Sequence, residues 1–485
     1  MNFSRSAVLT TLLFAFAGYA AEPPATTPKA RALPMEARQF KTDFDGMLER
    51  RVIRVLIPYS RTLYYNDKGR ERGLTADVVR EFERYLNKKY ASELGKRPLT
   101  VIIVPTTRDK LLGRIVDGFG EIAAGNITAT DERKKFVDFV LPSDKLVMNE
   151  VVLTGPKSPT IAGTDDLAGK TVDVRKSSSY YESLTALNER FKKEGKPAVN
   201  LVLVPDALED EDMMEMLNAG LFQAIVVDDI IAKMWVQVLP SIKINEGAVL
   251  RSAGQPGWAI RKNSPKLQAI LTEFFNHSTT RSYSAAARLA QQYKRIKQIK
   301  DPTADQAAKR FKDTLALFEK YGPKYGFEPL LLAAQGFQES QLDQNAKSPV
   351  GAIGVMQIMP ATGEHLKVGD ITQIENNILA GAKYMDQLMT TYLPNATFDA
   401  QNRALFAFAA YNAGPGRIIQ MRAEAVKRGL DREQWFNNVE VVTAEKIGIE
   451  TTTYVRNIYK YYVAYRLMQD IEAEKQKARE AAKKK

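Results

Sequence analysis

The sequence contains no cysteine and only two histidines, His277 and His365, which lie far apart. The absence of cysteine excludes disulfide bonds, thiolate nucleophiles and cysteine-based metal or iron–sulfur sites. A metal centre with several histidine ligands would have to recruit both histidines from unrelated segments. The composition therefore disfavours a metalloenzyme, and we expect neither a metal nor another cofactor.

Long hydrophobic runs are also missing near the N-terminus. The apolar run from Ala7 to Ala17 has 11 residues, whereas a membrane-spanning helix needs about 20. Arg5 precedes this run and the small residues Gly18 to Ala21 follow it, an order typical of a secretory signal peptide over residues 1–21. An uncleaved anchor is the alternative. Export of a chain without cysteine favours a bacterial periplasm.

The chain is long and carries a net positive charge. Its 485 residues are 45% apolar and 26% charged, which is typical of a globular protein with two or more domains. Lys and Arg number 69 against 57 Asp and Glu, which gives a net charge of +12. This charge favours anionic partners, although a moderately basic surface can also simply aid solubility. We find no signature of a nucleic-acid-binding module and expect no nucleic acid.

The first half of the chain alternates between strand-like and helix-like segments. Residues 22–50 begin rich in Pro, Ala and Thr, which predicts a flexible leader. Over residues 51–275, short apolar runs alternate with amphipathic stretches, beginning with a strand at 52–57 and a helix at 75–87. This alternation predicts an α/β fold with largely parallel sheets.

Strand patterns end at about residue 276. Residues 276–303 are polar and basic with helical spacing, which predicts a helical connector. Residues 304–469 show long helical patterns interrupted by glycine and proline clusters, and these predict an all-α domain. Residues 470–485 are rich in Glu, Lys and Ala without an apolar face, which predicts a solvated, charged helix end.

One loop in the first half carries groups that suit a carboxylate. Thr128 follows a predicted strand, and Arg133 lies in a short helical turn over residues 131–135. Loop N–H groups, a hydroxyl and a guanidinium fork can together hold both oxygens of a carboxylate. The alternative is that Arg133 pairs with Asp138 on the surface.

This loop resembles the signature of the bacterial extracellular solute-binding proteins of family 3, the periplasmic amino-acid-binding proteins. The resemblance covers about residues 51–275 and implies a two-lobed, periplasmic-binding-protein-like domain with its second lobe at about 156–244. It also assigns ligand roles. The α-carboxylate and α-amino group would be held by Thr128, Arg133, Ser178 and Asp228.

Two departures from the family pattern bear on the ligand. Ser177 to Ser179 stand where the family usually has glycine, and Asp228 is followed by a second aspartate, Asp229. The partner that the resemblance implies for this module is an amino acid or a cell-wall muropeptide with a free α-carboxylate.

In the helical half, Glu339 is the candidate acid. A helix is expected to begin at Pro329, with Glu328 ahead of it. Glu339 then lies near the end of this helix, off its apolar stripe and one turn beyond Gly336, a glycine that we expect to leave space beside the carboxyl. The alternative is an ordinary solvated glutamate at a helix end.

Four short motifs follow one another in this half: Glu339-Ser340, Gly354 to Gln357, Ala410 to Gly414, and Tyr454. Together they resemble the motifs of the family 1 lytic transglycosylases over about residues 304–469. The resemblance implies a lysozyme-like, all-α fold that acts on bacterial cell-wall glycan. It assigns Glu339 as the catalytic residue. The residues that would hydrogen-bond Glu339 or the sugar are Ser340, Gln357, Tyr411, Asn412 and Tyr454.

The chemistry that this resemblance implies needs only one carboxyl. Glycosidases usually use two, but Asp343, Glu364 and Glu375 have no fixed sequence relation to Glu339. In the family's reaction, Glu339 would protonate the oxygen between N-acetylmuramic acid and N-acetylglucosamine. It would then take the proton of the muramyl C6 hydroxyl, which closes a 1,6-anhydro ring without water. Such an acid needs surroundings that raise its pKa.

Two other functions remain open from the sequence. A hydrolytic muramidase on the same fold would differ only in its acceptor, and a transport receptor would carry the helical half as an inert appendage. The motifs favour a lytic transglycosylase with peptidoglycan as its partner and the N-terminal module as a regulator. This function implies a periplasmic location, attached peripherally to the inner face of the outer membrane.

We expect that chelators leave the cleavage activity unchanged, because the chain lacks cysteine, has two distant histidines and contains no EF-hand-like loop. The measurement is the cleavage rate on purified cell wall with and without EDTA. Loss of activity on EDTA treatment, followed by recovery with a divalent ion, would contradict this expectation.

Overall fold

The structure is a computed structural model, and the predicted signal peptide and nearly all of the predicted connector lie outside the residues that it describes. The first part of the predicted leader lies outside them as well. The described residues are 39–67, 70–96, 98–142, 147–156, 158–277, 300 and 305–483.

The first half contains all the strands of the described chain, in two larger sheets and one hairpin. The strands are β1 (Val52–Ile57), β2 (Tyr65–Asp67), β3 (Arg70–Arg72), β4 (Thr100–Pro105), β5 (Ile122–Thr128), β6 (Val137–Val140), β7 (Met148–Thr154), β8 (Thr171–Arg175), β9 (Asn200–Val204), β10 (Ala224–Asp228), β11 (Lys243–Gly254) and β12 (Pro256–Arg261). The helices are α1 (Phe44–Arg50), α2 (Leu74–Lys89), α3 (Ala91–Leu94), α4 (Arg108–Asp117), α5 (Asp131–Lys134), α6 (Ser179–Glu194), α7 (Asp210–Asn218), α8 (Asp229–Trp235) and α9 (Pro265–His277).

The two larger sheets define two lobes and are mixed rather than largely parallel. In the first lobe the strand order is β4-β1-β5-β12-β6, with β12 antiparallel to both of its neighbours. In the second lobe it is β11-β7-β10-β8-β9, with β7 antiparallel to β10 and β11. The chain passes between the lobes twice, before β7 and after β11, and these crossovers account for the antiparallel strands.

Two sequence-based boundaries of this half differ from the structure. The second sheet runs from Met148 to Gly254, so the second lobe is wider than the predicted 156–244. The end of the predicted flexible leader is the helix α1, whose Phe44 and Met47 are buried. Asp43 caps α1 and also accepts hydrogen bonds from the first N–H groups of α9, which fastens this segment to the first lobe.

The second half is all-α, as the sequence predicts. Its helices are α10 (Asp305–Tyr321), α11 (Pro329–Ser340), α12 (Pro360–Leu366), α13 (Ile374–Tyr392), α14 (Ala400–Ala413), α15 (Pro415–Lys427), α16 (Glu440–Lys446) and α17 (Ile449–Lys483). Helix α17 includes most of the predicted charged tail. Within the described ranges, no helix combines the length and the apolar character needed to cross a membrane.

The core of the helical domain lies between α11 and α17. Every residue from Leu330 to Phe337 is buried, so α11 is covered on all sides. The tyrosines of α17 are buried too, and the ring of Tyr461 packs edge-on against Phe337 of α11 at a centroid distance of 4.7 Å. This packing fixes the position of α17 against the end of α11, where Glu339 lies.

Candidate active site and ligand cleft

Glu339 is the penultimate residue of α11, and the chain reverses directly after it. Gln341 (φ 58°) and Leu342 (φ 60°) adopt the left-handed conformation and end the helix. The Leu342 N–H bonds the carbonyl of Gly336 at 3.3 Å, and the Leu342 side chain is buried. This turn therefore folds the following loop back against α11 and leaves Glu339 at the edge of the core, partly buried.

Glu339 is hydrogen-bonded from the facing helix. The Tyr454 hydroxyl of α17 donates a hydrogen bond to Oε1 of Glu339. Burial raises the pKa of Glu339 to about 7, because desolvation penalises the charged form, and the Tyr454 hydrogen bond opposes this rise by stabilising the carboxylate. A carboxyl with this pKa can both donate and accept a proton near neutral pH.

Tyr411 lies near the end of α14, close to the same carboxyl. Burial holds the pKa of Tyr411 well above 10, and the Glu339 carboxylate raises it further. The Tyr411 hydroxyl donates to the carbonyl of Met356 at 2.6 Å, and the ring packs edge-on against Tyr384 with centroids 5.3 Å apart. Tyr411 therefore ties α14 to the turn that follows α11.

Ser340 and Gln357 make their hydrogen bonds to the backbone. The Ser340 hydroxyl donates to the carbonyl of Val355 at 2.9 Å. Gln357 has a φ of 49°, and its Nε2 donates to the carbonyl of Gly354 at 2.9 Å. Both side chains brace the turn beside Glu339 and do not bond the carboxyl itself.

Asn412 is exposed at the end of α14 and accepts a hydrogen bond from the Thr451 hydroxyl at 2.8 Å. This bond ties α14 to the start of α17. Among the residues predicted to bond Glu339 or the sugar, Tyr454 alone bonds Glu339 directly in the described part of the chain. The exposed amide of Asn412 is the most accessible of the others to a glycan.

Two glycines near the site are required by close packing. At Gly336, where we expected open space, a Cβ would lie 3.0 Å from both Leu342 and Val355, so the position is filled by neighbours. Gly354 has a φ of 80°, and a Cβ there would lie 2.5 Å from the Asn377 side chain. Asn377, which the motifs did not indicate, is fully buried and accepts a backbone N–H of this turn at 2.8 Å.

The residues predicted to bind a ligand in the first half lie around one cavity between the lobes. The cavity has a volume of about 50 Å³, and its lining includes Arg133, Ser178 and Asp228. Thr128 ends β5 beside it, and its hydroxyl lies 3.4 Å from the hydroxyl of Ser179. Ser178 caps α6 by accepting the N–H of Tyr181.

Arg133 bridges the two lobes. Its guanidinium donates to the carbonyl of Thr128 in the first lobe at 3.2 Å and to that of Ser177 in the second at 3.0 Å. Its Nε lies 3.0 Å from a carboxylate oxygen of Glu182. The alternative partner, Asp138, pairs with Lys262 instead, at 3.1 Å.

Asp228 faces the cavity from the second lobe. Burial raises its pKa to about 7, and the nearby Asp210 and Glu150 raise it further. Its side chain accepts a hydrogen bond from Asn126 of the first lobe at 2.6 Å, and its backbone N–H bonds the hydroxyl of Tyr180 at 3.2 Å. Asp228 therefore joins the lobes as Arg133 does.

Two buried arginines of this cavity were missed by the motif comparison. Arg108 begins α4 and pairs with Glu209 at 2.8 Å, and Arg175 ends β8 and pairs with Asp210. The position of Arg175, just before the three serines at the end of a predicted strand, is the signal that could have indicated it.

We expect Glu339→Gln to change the pH dependence of stability in a defined direction. Because the pKa of Glu339 is about 7 in the folded chain and about 4.5 when unfolded, the native state binds more protons between these values. The Glu339 contribution to stability is therefore lost as pH rises from about 4.5 to 7, so the wild type should lose ~3 kcal/mol relative to the glutamine variant over this range.

The measurement is the free energy of unfolding of both proteins at pH 4, 6 and 8. The matched control is Glu364→Gln, which replaces an exposed carboxyl of the same domain and should leave the difference from wild type constant with pH. A constant difference for Glu339→Gln as well would show that Glu339 titrates as an ordinary surface acid.

Two protein-family models match this chain, one in each half. The model of the transglycosylase SLT domain matches residues 316–433. The model of the bacterial extracellular solute-binding proteins, family 3, matches residues 53–293. The first match contains the Glu339 turn and Tyr411, and the second contains both lobes.

Curated relatives share both domains. A protein of Desulfosudis oleivorans named membrane-bound lytic murein transglycosylase F is 28% identical over 403 residues, which cover 79% of this chain and 84% of that protein. A protein of the same name from Pseudomonas putida is 25% identical over 481 residues, covering 94% of this chain and 90% of its own length.

Two solved structures show similarity to part of this chain. An ancestral arginine-binding protein bound to arginine has a TM-score of 0.39 at 20% identity, over 50% of this chain and 97% of that chain. The arginine-bound form of a truncated arginine-binding protein from T. maritima has a TM-score of 0.38 at 23% identity, over 48% and 99%. On its two domain matches and its relatives, the chain belongs to the lytic transglycosylases that carry a family 3 solute-binding domain in front of a transglycosylase SLT domain.

Proposed function

We propose that this enzyme cleaves the β-1,4 bond between N-acetylmuramic acid and N-acetylglucosamine in peptidoglycan without water, leaving 1,6-anhydro ends. The observation that carries the proposal is a single carboxyl, Glu339, whose pKa burial raises to about 7. Burial and the Tyr454 hydrogen bond account for this pKa, with no contribution from a second carboxylate in the described part of the chain. The usual glycosidase pair would place a second carboxyl about 5–10 Å away.

The other acids of the SLT domain that the sequence brought into question have different partners. Asp343 pairs with Arg310 at 3.2 Å, and Glu375 pairs with Lys320 at 2.6 Å. Glu364 is exposed on α12. Ion pairing of Asp343 and Glu375 supports a reaction whose nucleophile belongs to the substrate.

The reaction then balances with one acid and base. Protonated Glu339 donates its proton to the glycosidic oxygen as the bond to the muramyl C1 breaks. The C6 hydroxyl of the same sugar forms the new bond to C1 and returns its proton to the Glu339 carboxylate. Tyr454 stabilises that carboxylate between the two transfers, because its hydroxyl donates to Oε1.

We expect Glu339→Gln to abolish cleavage while folding and glycan binding persist. The amide keeps the shape of the carboxyl but cannot donate and retrieve a proton, and loss of the sole acid and base costs at least ~10² in rate. Mass spectrometry of the products from purified cell wall measures both rate and product type, with Glu364→Gln as the matched control.

Each outcome of this experiment decides between functions. Anhydro products from the wild type support the proposal. Reducing ends would instead show a hydrolytic muramidase. Activity of Glu339→Gln above about 1% of wild type would contradict the role of Glu339, since a lost general acid should cost more.

We also propose that the solute-binding module regulates the enzyme by binding an amino acid or a muropeptide with a free α-carboxylate. The cavity supports a zwitterion, because it brings cationic Arg108, Arg133 and Arg175 together with acidic Asp228. Thr128, Arg133, Ser178 and Asp228 are the proposed ligand residues. We further propose a periplasmic location at the outer membrane, which the N-terminal segment and the names of the relatives support.

Helix α7 offers a physical route for this regulation. At its start, Asp210 pairs with Arg175 of the cavity. Further along, Asp212 and Glu215 pair with Lys460 of α17 at 3.1 and 2.7 Å. Tyr454, which bonds Glu339, lies six residues before Lys460 on the same helix. A shift of α7 on ligand binding would therefore act on α17, the helix whose Tyr454 donates a hydrogen bond to Glu339.

The ion pairs between α7 and α17 are buried on both helices. Asp212 and Lys460 are 3% and 1% exposed as side chains, and Arg456 of α17 adds a bond to the carbonyl of Ala207 at 3.2 Å. Because a buried ion pair is costly to separate, α7 and α17 should move together. This rigidity favours coupling over independent motion of the two domains.

We expect a muropeptide with a free α-carboxylate to change the cleavage rate of the wild type by about 5–150-fold, the range of typical allosteric coupling. Arg133→Ala should lose this response, since it removes the carboxylate fork. The measurement is the initial rate with and without muropeptide. The matched control is Arg190→Ala, an exposed arginine of the second lobe that does not line the cavity.

A ligand can shift the enzyme only by its difference in affinity between two arrangements. If neither the muropeptide nor Arg133→Ala changes the rate more than twofold, coupling is absent and the module serves as a tether. Retention of the response in Arg133→Ala would place the ligand elsewhere.

A further inference from the structure

The turn of residues 353–356 lies directly against the helix of Glu339. A Cβ at Gly336 of α11 would lie 3.0 Å from the Val355 side chain and 3.3 Å from that of Met356. Gly336 precedes Glu339 by three residues, and residues three apart on a helix are neighbours on one face. The turn therefore covers α11 beside the proposed acid.

The carbonyl groups of this turn hold two hydroxyls of the proposed active site. The Val355 carbonyl accepts a hydrogen bond from the hydroxyl of Ser340 at 2.9 Å, and the Met356 carbonyl accepts one from the hydroxyl of Tyr411 at 2.6 Å. Ser340 follows Glu339 directly in the chain. The positions of both hydroxyls therefore depend on how these two peptide groups are oriented.

The N–H groups of the same two residues bond amide side chains that the motifs did not indicate. The Met356 N–H donates to Oδ1 of Asn377 on α13 at 2.8 Å. The Val355 N–H donates to Oε1 of Gln344 at 3.3 Å. Side chains thus bond all four backbone polar groups of Val355 and Met356, with amides at the N–H groups and hydroxyls at the carbonyls.

Asn377 is itself fixed by bonds at both ends of its amide. Its Nδ2 donates to the carbonyls of Ile353 at 2.9 Å and Ile371 at 3.0 Å. Nε2 of Gln344 donates to the same Ile371 carbonyl at 3.0 Å. Asn377 is 0% exposed, so it cannot contact the glycan, and an amide bonded through both its oxygen and its nitrogen has one orientation.

Two more glycines show how tightly the turn is held. A Cβ at Gly354 would lie 2.5 Å from the Asn377 side chain and 2.7 Å from that of Gln344. A Cβ at Gly381 of α13 would lie 2.6 Å from the Met356 side chain. Closely packed groups transmit displacement, so a change at Asn377 should shift the Met356 peptide group.

We propose that Asn377 is a positioning residue for the cleavage reaction: it fixes the Met356 peptide group, whose carbonyl in turn places the Tyr411 hydroxyl at the active site. Asn377 acts through the backbone and touches neither the glycan nor Glu339. The inference rests on the proposed function where activity is the readout, and a stability measurement tests it without activity.

The test is Asn377→Ala, which removes all three hydrogen bonds of the amide. We expect kcat to fall about tenfold or more, because small misplacements of active-site groups cost rate steeply. In a Tyr411→Phe background there is no hydroxyl to place, and the same substitution should lower kcat by at most about threefold. The measurement is kcat on purified cell wall for the wild type, both single variants and the double variant.

The matched control is Asn402→Ala on α14, the helix of Tyr411. Asn402 is a buried asparagine whose Oδ1 also accepts a distant backbone N–H, that of Trp435 at 2.9 Å. Its loss should change kcat by the same small factor in both backgrounds. An unchanged kcat in Asn377→Ala, an equal loss in the Tyr411→Phe background, or an Asn402→Ala variant that behaves like Asn377→Ala would overturn the proposal.

A second readout needs no activity. Substitutions that act through one shared group are non-additive, whereas distant ones add. The free energy of unfolding lost in Asn377→Ala should therefore be smaller in the Tyr411→Phe background than in the wild type. Asn402 lies nine residues from Tyr411, about 14 Å along the helix, so its cost should be equal in both. Equal costs for Asn377→Ala would overturn the proposal.

A conservative variant covers the case in which Asn377→Ala does not fold. Asn377→Asp keeps the shape and the oxygen that accepts the Met356 N–H, and it loses the Nδ2 donor to Ile353 and Ile371. The same comparisons in the Tyr411→Phe background then decide, with the same outcomes for and against. An inactive wild type would instead count against the proposed function, which the product analysis tests separately.

Discussion

The catalytic half depends on a balance between two effects on the Glu339 carboxyl: its desolvation by burial and the hydrogen bond that it accepts from the Tyr454 hydroxyl. Burial alone would push the pKa of Glu339 upward, and the Tyr454 hydrogen bond holds it to about 7. This balance needs α11 and α17 in fixed positions, and the buried tyrosines of α17 provide them. The left-handed residues Gln341 and Leu342 then bring the following turn back beside the carboxyl.

The other residues of the SLT motifs serve this arrangement through the backbone. Ser340 and Gln357 bond carbonyl groups of the turn, and Tyr411 bonds the carbonyl of Met356. The turn contains Gly351 and Gly354, which have wide conformational freedom, and these bonds hold it in one shape. Glu339 therefore has fixed neighbours although it lies at the edge of the core.

The solute-binding half contacts the helical half through buried ion pairs. Helix α7 carries acids that pair with the cavity arginine Arg175 at one end and with Lys460 of α17 further along. Buried charges are stable only when they are paired. Helix α7 thus has ion pairs with both the cavity between the lobes and the helix of Tyr454.

The sequence by itself determined the two fold classes and the start of α11 at Pro329, and it predicted Glu339 as the candidate acid, because periodicity and short motifs are local properties of a chain. It did not determine the mixed pairing of the sheets, the role of Gly336, or the partners of Arg133 and Glu339. Those depend on which groups burial brings together across long sequence distances: the Tyr454 hydroxyl bonds Glu339 because α17 packs beside the end of α11. Only the tertiary structure decided which polar groups lost water, and that loss sets the pKa of the acid.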